Sequence, residues 1–164
     1  MTDPTAGLIA DLTARGLTVA VAESLTGGQL TAELTRPAGA SAVVLGGVVV
    51  YATEIKHTMA GVDEHLLAEH GPVHPEVADQ LARGIRTRLA VAGRAADIGI
   101  SATGVAGPNP QGGHAPGTVF VGLSMGDRSR VLALTLEGDR ASIRAQVVRE
   151  CIRALVAFTA DATE

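Results

Sequence analysis

Three residues in this chain have side chains suited to nucleophilic chemistry and stand where short apolar runs give way to small and polar residues. Ser24 lies in Glu23-Ser24-Leu25-Thr26-Gly27-Gly28, and Tyr51 and Lys56 bracket Tyr51-Ala52-Thr53-Glu54-Ile55-Lys56. A serine hydroxyl attacks a carbonyl only when a neighbouring base takes its proton. A lysine amine can be that base if burial lowers its pKa, whereas arginine stays protonated in proteins. Of the 13 basic side chains twelve are arginine, and Lys56 is the single lysine. In a chain that uses arginine elsewhere, that position tilts toward a role only lysine fills. Plainer roles stand beside these. Ser24 or Thr26 can cap a helix, Lys56 can be a solvated surface charge, and the Tyr51 ring can pack with its hydroxyl in water.

A third segment, Thr103 to Pro116, is too long for a default connection and reads as either a functional or a mobile loop. It holds Gly104, Gly107, Gly112 and Gly113 with Pro108, Pro110 and Pro116. Its glycines would let backbone N–H groups approach a ligand closely. Arg140 and Arg144 open the last helix; solvated faces are their default, although both could reach a phosphate or carboxylate nearby. Neither Gly-x-Ser-x-Gly nor Gly-x-x-x-x-Gly-Lys-[Ser/Thr] occurs, so a hydrolase elbow and a P-loop are both unsupported. The histidines His57, His65, His70, His74 and His114 form no metal-binding motif, and His70 and His74 are separated by Gly71-Pro72. Cys151, the one cysteine, sits mid-helix as a small hydrophobe and supports neither a disulfide framework nor a thiolate zinc site.

The elements that must position these residues follow from periodicity. Helical spacing predicts helices over Pro4–Arg15, Leu30–Thr35, Thr53–Ala60, Asp63–His70, Pro75–Ala92 and Arg140–Thr159. Apolar runs rich in β-branched residues predict strands over Leu17–Ala22, Val43–Ala52, Asp97–Ala102, Thr118–Ser124 and Ser129–Leu136. The last two, joined through Gly126-Asp127, read as an antiparallel hairpin. Gly46-Gly47 suggests a bulge or a close backbone approach. The alternation gives an α/β domain of three α/β/α layers with a mixed, mostly parallel sheet of about five strands, running as one domain over residues 1–164. In such sheets ligands gather beyond the carboxyl ends of strands, which is where all three segments fall.

Composition bounds the function. Hydrophobic residues make up 46% of the 164 residues and charged ones 18%, too apolar a balance for disorder. The net charge of −4 and an aromatic content of 2% argue against a nucleic-acid surface. No apolar run reaches the ~18 residues of a membrane span, and Met1 to Asp11 does not read as a signal peptide. The expectation is a cytoplasmic protein, with a homo-oligomer as the default assembly.

Taken together, the segments resemble the C-terminal domain of the CinA family, the competence/damage-inducible proteins whose characterised members are nicotinamide-nucleotide amidases. The resemblance rests on Ala22 to Gly28, Gly47 to Lys56, Gly71-Pro72-Val73, Thr103-Gly104-Val105-Ala106-Gly107-Pro108, Gly117-Thr118-Val119 and Gly138-Asp139-Arg140, in family order. It implies deamidation of nicotinamide mononucleotide to nicotinate mononucleotide and ammonia, with no cofactor and no metal. Ser24 would be the nucleophile, Lys56 its base and Tyr51 an assisting hydroxyl. Backbone N–H groups around Thr26, Gly27 and Gly28 would hold the oxyanion. Thr103, Gly104, Ala106 and Gly107, with Arg140 or Arg144, would hold the nucleotide. Many relatives carry an additional N-terminal domain of the molybdopterin-binding type; 164 residues leave no room for one, so the expectation is a stand-alone form. The chain departs from the family pattern at Leu25, often cysteine, at Thr53, often asparagine, and in the Asn109–Ala115 loop. A binding module that has lost turnover, or an amidase for another nucleotide-like compound, is the alternative.

Overall fold

The computed structural model describes residues 3–161. In chain order the elements are α1 (Pro4–Arg15), β1 (Val19–Glu23), α2 (Gln29–Thr35), β2 (Val44–Val49), α3 (Thr53–Ala60) and α4 (Glu64–His70), followed by α5 (Pro75–Arg88), β3 (Ile98–Gly104), β4 (Thr118–Met125), β5 (Arg128–Thr135) and α6 (Arg140–Ala160). The sheet order is β2-β1-β3-β4-β5. β1 runs parallel to both β2 and β3, while β4 is antiparallel to β3 and β5. Four strands therefore point one way and β4 opposes them, a mixed and mostly parallel sheet. The chain leaves β1 for β2 on one side and returns past it to β3 on the other. The carboxyl end of β1 is thus the switch point at which open α/β sheets bind ligands.

The two-residue period of β1 divides the core. Val19 and Val21 pack with Leu8, Leu12, Leu30, Ile143 and Val147 of α1, α2 and α6. Ala20 and Ala22 face the other way, toward Val77, Leu81 and Ile85 of α5. On that second face the residues are small because α5 lies very close. A Cβ at Gly99 would fall 1.9 Å from the Ala82 carbonyl oxygen, and one at Gly122 2.1 Å from that of Ala78. Gly84 does the same for α3: a Cβ there would meet the Ala60 carbonyl oxygen at 1.7 Å, so only glycine lets the two helices touch. Because α3 carries Lys56, this contact reaches the site.

Several boundaries differ from the sequence reading, each for a reason of pairing. The Pro75 helix ends at Arg88 rather than Ala92, because Ala92 and Gly93 take positive φ values of 50° and 76°. They close a small turn in which Val91 and Arg94 bond each other. β2 stops at Val49 because its partner β1 stops at Glu23. β3 continues to Gly104, since β4 keeps pairing it through Thr103–Phe120 and Gly104–Val119. Thr103 and Gly104 accordingly belong to a strand end and not to a loop. The close approach expected at Gly46-Gly47 is found: Ala20 pairs with Gly46 across a register shift, and a Cβ on Gly47 would meet Thr31 Oγ1 at 1.9 Å.

Candidate active site

Ser24 follows β1 directly, and its backbone N–H donates to Ala102 of β3 at 3.0 Å. That bond, from a residue one past the strand, fixes the serine at the sheet's switch point. Lys56 arrives from the opposite side on α3. It is 1% exposed, and its Nζ lies 3.2 Å from Ser24 Oγ, 2.7 Å from the Val50 carbonyl oxygen and 3.4 Å from that of Tyr51. Burial lowers the Lys56 pKa from 10.5 to about 8, since no carboxylate pairs with the ammonium among the described residues. The geometry suits the neutral amine. Its two N–H bonds can be spent on the two carbonyls, which leaves the lone pair directed at the serine hydroxyl.

The turn after Ser24 is organised by a residue that the sequence reading passed over. Glu23 ends β1 fully buried, and its carboxylate accepts from the backbone N–H groups of Gly28, Leu30 and Thr31 and from the Thr31 hydroxyl. Thr31 reaches it only because Gly47 has no side chain. Glu23 thereby occupies the start of α2, a role the sequence reading left to Ser24 or Thr26. The signal available in the sequence was a carboxylate closing an otherwise apolar strand, since such a charge must find donors. This corrects the expected oxyanion donors. The Gly28 N–H is taken by Glu23, and the Gly27 N–H donates to the Ser24 carbonyl oxygen at 3.1 Å. The N–H groups of Leu25 and Thr26 have no acceptor among the described residues.

A pocket of about 110 Å³ opens over Ser24 and Lys56. Leu25, Thr53 and Tyr51 line it with Thr103, Gly104, Ala106 and Gly107 from the end of β3 and the loop beyond. The Thr103 hydroxyl donates to the Pro72 carbonyl oxygen at 2.7 Å, which draws the Gly71-Pro72-Val73 corner into the wall. Tyr51 departs from the expected role: the residue is 61% exposed, and its hydroxyl accepts from Arg140 at 3.3 Å rather than reaching Ser24 or Lys56. The carbonyl of Tyr51 serves Lys56 instead. Arg140, exposed at the rim, also donates to the Gly107 carbonyl oxygen at 2.8 Å. Arg144 lies behind the serine turn, outside the pocket lining. Asn109 and Gln111 extend over the rim on a small turn in which Gln111 and His114 exchange backbone bonds around Gly112-Gly113.

The remaining candidates fall outside the site. The rings of His70, at the end of α4, and His74, just before α5, stack at 4.6 Å, and His74 Nδ1 caps α5 by accepting from the Glu76 N–H. Cys151 is fully buried in α6, and desolvation pushes its thiol pKa up.

The fold and pocket define a class: three-layer α/β/α domains with a serine and a buried lysine at the switch point of a mixed five-stranded sheet. The model of the CinA C-terminal domain family matches residues 2–159, and the chain belongs to that family. It is 46% identical over 137 residues to a CinA-like protein of Frankia casuarinae, covering 84% of this chain and 30% of that protein. It is 42% identical over 130 residues to a putative competence-damage inducible protein of Bacillus subtilis, covering 79% of this chain and 30% of that one. The chain thus spans under a third of the length of these two relatives. Among solved structures, a competence/damage inducible protein from Agrobacterium tumefaciens superposes with a TM-score of 0.87 at 31% identity, over 97% of this chain and 98% of that one. A competence damage-inducible protein from Klebsiella pneumoniae gives 0.86 at 33% identity, over 96% and 98%. No helix among the described residues is long and apolar enough to cross a membrane.

Proposed function

We propose that this chain is an amidohydrolase acting on nicotinamide mononucleotide, with Ser24 as nucleophile and Lys56 as general base. The observation that carries this reading is the buried, unpaired Lys56 amine at 3.2 Å from Ser24 Oγ, held there by the carbonyls of Val50 and Tyr51. Ser24 Oγ attacks the carboxamide carbon while its proton passes to Lys56 Nζ. The tetrahedral intermediate collapses as Lys56 returns that proton to the departing nitrogen, which leaves as ammonia. Water then attacks the acyl-serine, gives its proton to Lys56, and releases the carboxylate as Ser24 regains its hydrogen. A pocket of about 110 Å³ is smaller than the roughly 150 Å³ cavity that holds benzene, so it takes the carboxamide and the adjoining edge of the ring, with the rest of the ring at the mouth. The ribose phosphate would then project to the rim, where Arg140 is the lining cation and Tyr51 orients it.

The test is ammonia release from nicotinamide mononucleotide by the wild type, Ser24→Ala and Lys56→Ala. Release that falls at least about a hundredfold in both variants supports the dyad, in line with the ~10²–10⁴-fold contribution of a positioned base. Release untouched by either change sinks it. Tight nucleotide binding with no release by the wild type would make the domain a binding module.

A further inference from the structure

Arg144 of α6 grips the serine turn from behind. Its Nε donates to the Leu25 carbonyl oxygen at 2.9 Å and a terminal nitrogen donates to that of Thr26 at 3.1 Å. Gly27 completes the contact, with φ at 58° and no room for a side chain to grow without pressing on the guanidinium, which a Cβ would meet at 3.1 Å. A trans peptide sends its C=O and N–H in opposite directions. Fixing the Leu25 oxygen toward α6 therefore aims the Thr26 N–H away from α6, and fixing the Thr26 oxygen does the same for the Gly27 N–H. The Gly27 N–H ends on the Ser24 carbonyl, on the nucleophile's side of the turn. With the Ser24 oxygen held by Gly27, its peptide partner, the N–H of the pocket-lining Leu25, is aimed the opposite way and has no acceptor among the described residues, whereas Thr26 is fully buried off the pocket lining. A cation on the Thr26 carbonyl also polarises that peptide unit and strengthens the Gly27 N–H that holds the Ser24 oxygen.

We propose that Arg144 is a positioning residue for an oxyanion site at the Leu25 N–H, and not a ligand for the nucleotide. The proposal rests on the reading of Ser24 as nucleophile. A donor preset next to the nucleophile is what acyl transfer requires when charge develops on the carbonyl oxygen. Arginine fits because its planar fork spans two successive carbonyls, which a lysine ammonium cannot do. Arg140, one turn earlier on the same helix, faces the pocket rim instead.

The experiment uses an alkyl phosphonofluoridate, read by intact-mass spectrometry on wild type, Ser24→Ala, Arg144→Gln and Arg144→Lys. Ser24 Oγ forms a bond to phosphorus, the P–F bond breaks, fluoride leaves, and the serine proton passes to Lys56. The phosphoryl oxygen takes the place of the oxyanion, so the second-order rate reports that site without any nucleotide. The expected result is one adduct on the wild type, none on Ser24→Ala, and a rate about 100-fold lower for Arg144→Gln. Arg144→Lys, able to hold one carbonyl, should fall between. The final labelled fraction is read separately, because misfolding lowers the fraction while a misplaced donor lowers the rate at full fraction. Where Arg144→Gln does not fold, Arg144→Lys decides the matter. Labelling of the arginine variants at the wild-type rate overturns the proposal, as does a wild type that takes no label. Full labelling without ammonia release from nicotinamide mononucleotide overturns the substrate reading alone and leaves Arg144 in its role. A rise in KM for the mononucleotide with an unchanged labelling rate would make Arg144 a substrate ligand, against the proposal.

Discussion

Lys56 Nζ stands 3.2 Å from Ser24 Oγ although the two residues are 32 positions apart in the chain and reach each other from different sides of the site. Ser24 is held by the end of β1, and Lys56 by the packing of α3 on α5. The distance is therefore a property of the layered fold rather than of either segment.

Activity should rise with pH through a single ionisation near 8. In the proposed mechanism the lysine acts as the neutral amine, and burial brings its pKa down to about 8, so protonation on the acid side would remove the base. The kcat/KM profile for ammonia release checks this. A break near 10.5, the ordinary lysine value, would mean that Lys56 is solvated in the working enzyme. Lys56→Arg should be inactive across the whole range, because arginine does not deprotonate.

The lowered pKa of Lys56 also predicts a stability cost with a definite sign. The residue loses its proton near 8 in the native state and near 10.5 unfolded. Between these values the unfolded chain binds more protons, so Lys56 makes stability rise with pH across the window. Below 8 both states are protonated and the penalty is complete. Relative to Lys56→Met, the wild type should therefore gain about 3 kcal/mol between pH 8 and pH 10.5, at ~1.4 kcal/mol for each pH unit. Urea unfolding of both proteins at the two ends of the window measures it, and a constant difference would refute it.

Glu23→Gln should damage both fold and rate. The amide offers one acceptor oxygen where the carboxylate served three N–H groups and a hydroxyl, and its NH₂ would face a backbone donor. A loss of about 2–3 kcal/mol is expected for charge-assisted bonds left unmade in a buried place. Ammonia release should fall at temperatures where the variant remains folded, because the turn that holds Ser24 is no longer pinned.

Gly84→Ala tests the contact that places α3. The added methyl would meet the Ala60 carbonyl oxygen, so α3 must move and carry Lys56 away from Ser24. We expect about 1–3 kcal/mol of destabilisation and at least a tenfold loss of turnover. Gly7→Ala is the matched control: nothing lies within 4 Å of its Cβ, in α1. It should stabilise the protein by about 0.5–1 kcal/mol and leave turnover unchanged.

Cys151 should resist thiol reagents in the native protein. It is fully buried, and its raised pKa suppresses the thiolate. Reaction with a disulfide reagent should track global unfolding in denaturant; prompt labelling of the native chain would contradict the packing of α6.

Much of this protein follows from local sequence. Asp3, Pro4 and Gly16 bound α1 because a cap, a fixed φ and a left-handed residue act within a few positions of each other. Alternation in β1 and the four-residue spacing of Val77, Leu81 and Ile85 mark the faces that must be buried. That Lys56 is the single lysine among arginines is likewise legible in the sequence, and residue type alone marks it as the one basic side chain able to act as a neutral amine. Pairing across the sheet decided the rest. β3 runs on to Gly104 because β4 supplies partners that the local sequence does not reveal. The Gly27 and Gly28 N–H groups are unavailable because Glu23 and the Ser24 carbonyl occupy them, and Tyr51 turns its hydroxyl to Arg140, 89 residues away. Residue types limit what a group can do. Which donors remain unpaired depends on neighbours that only tertiary packing brings within hydrogen-bonding distance.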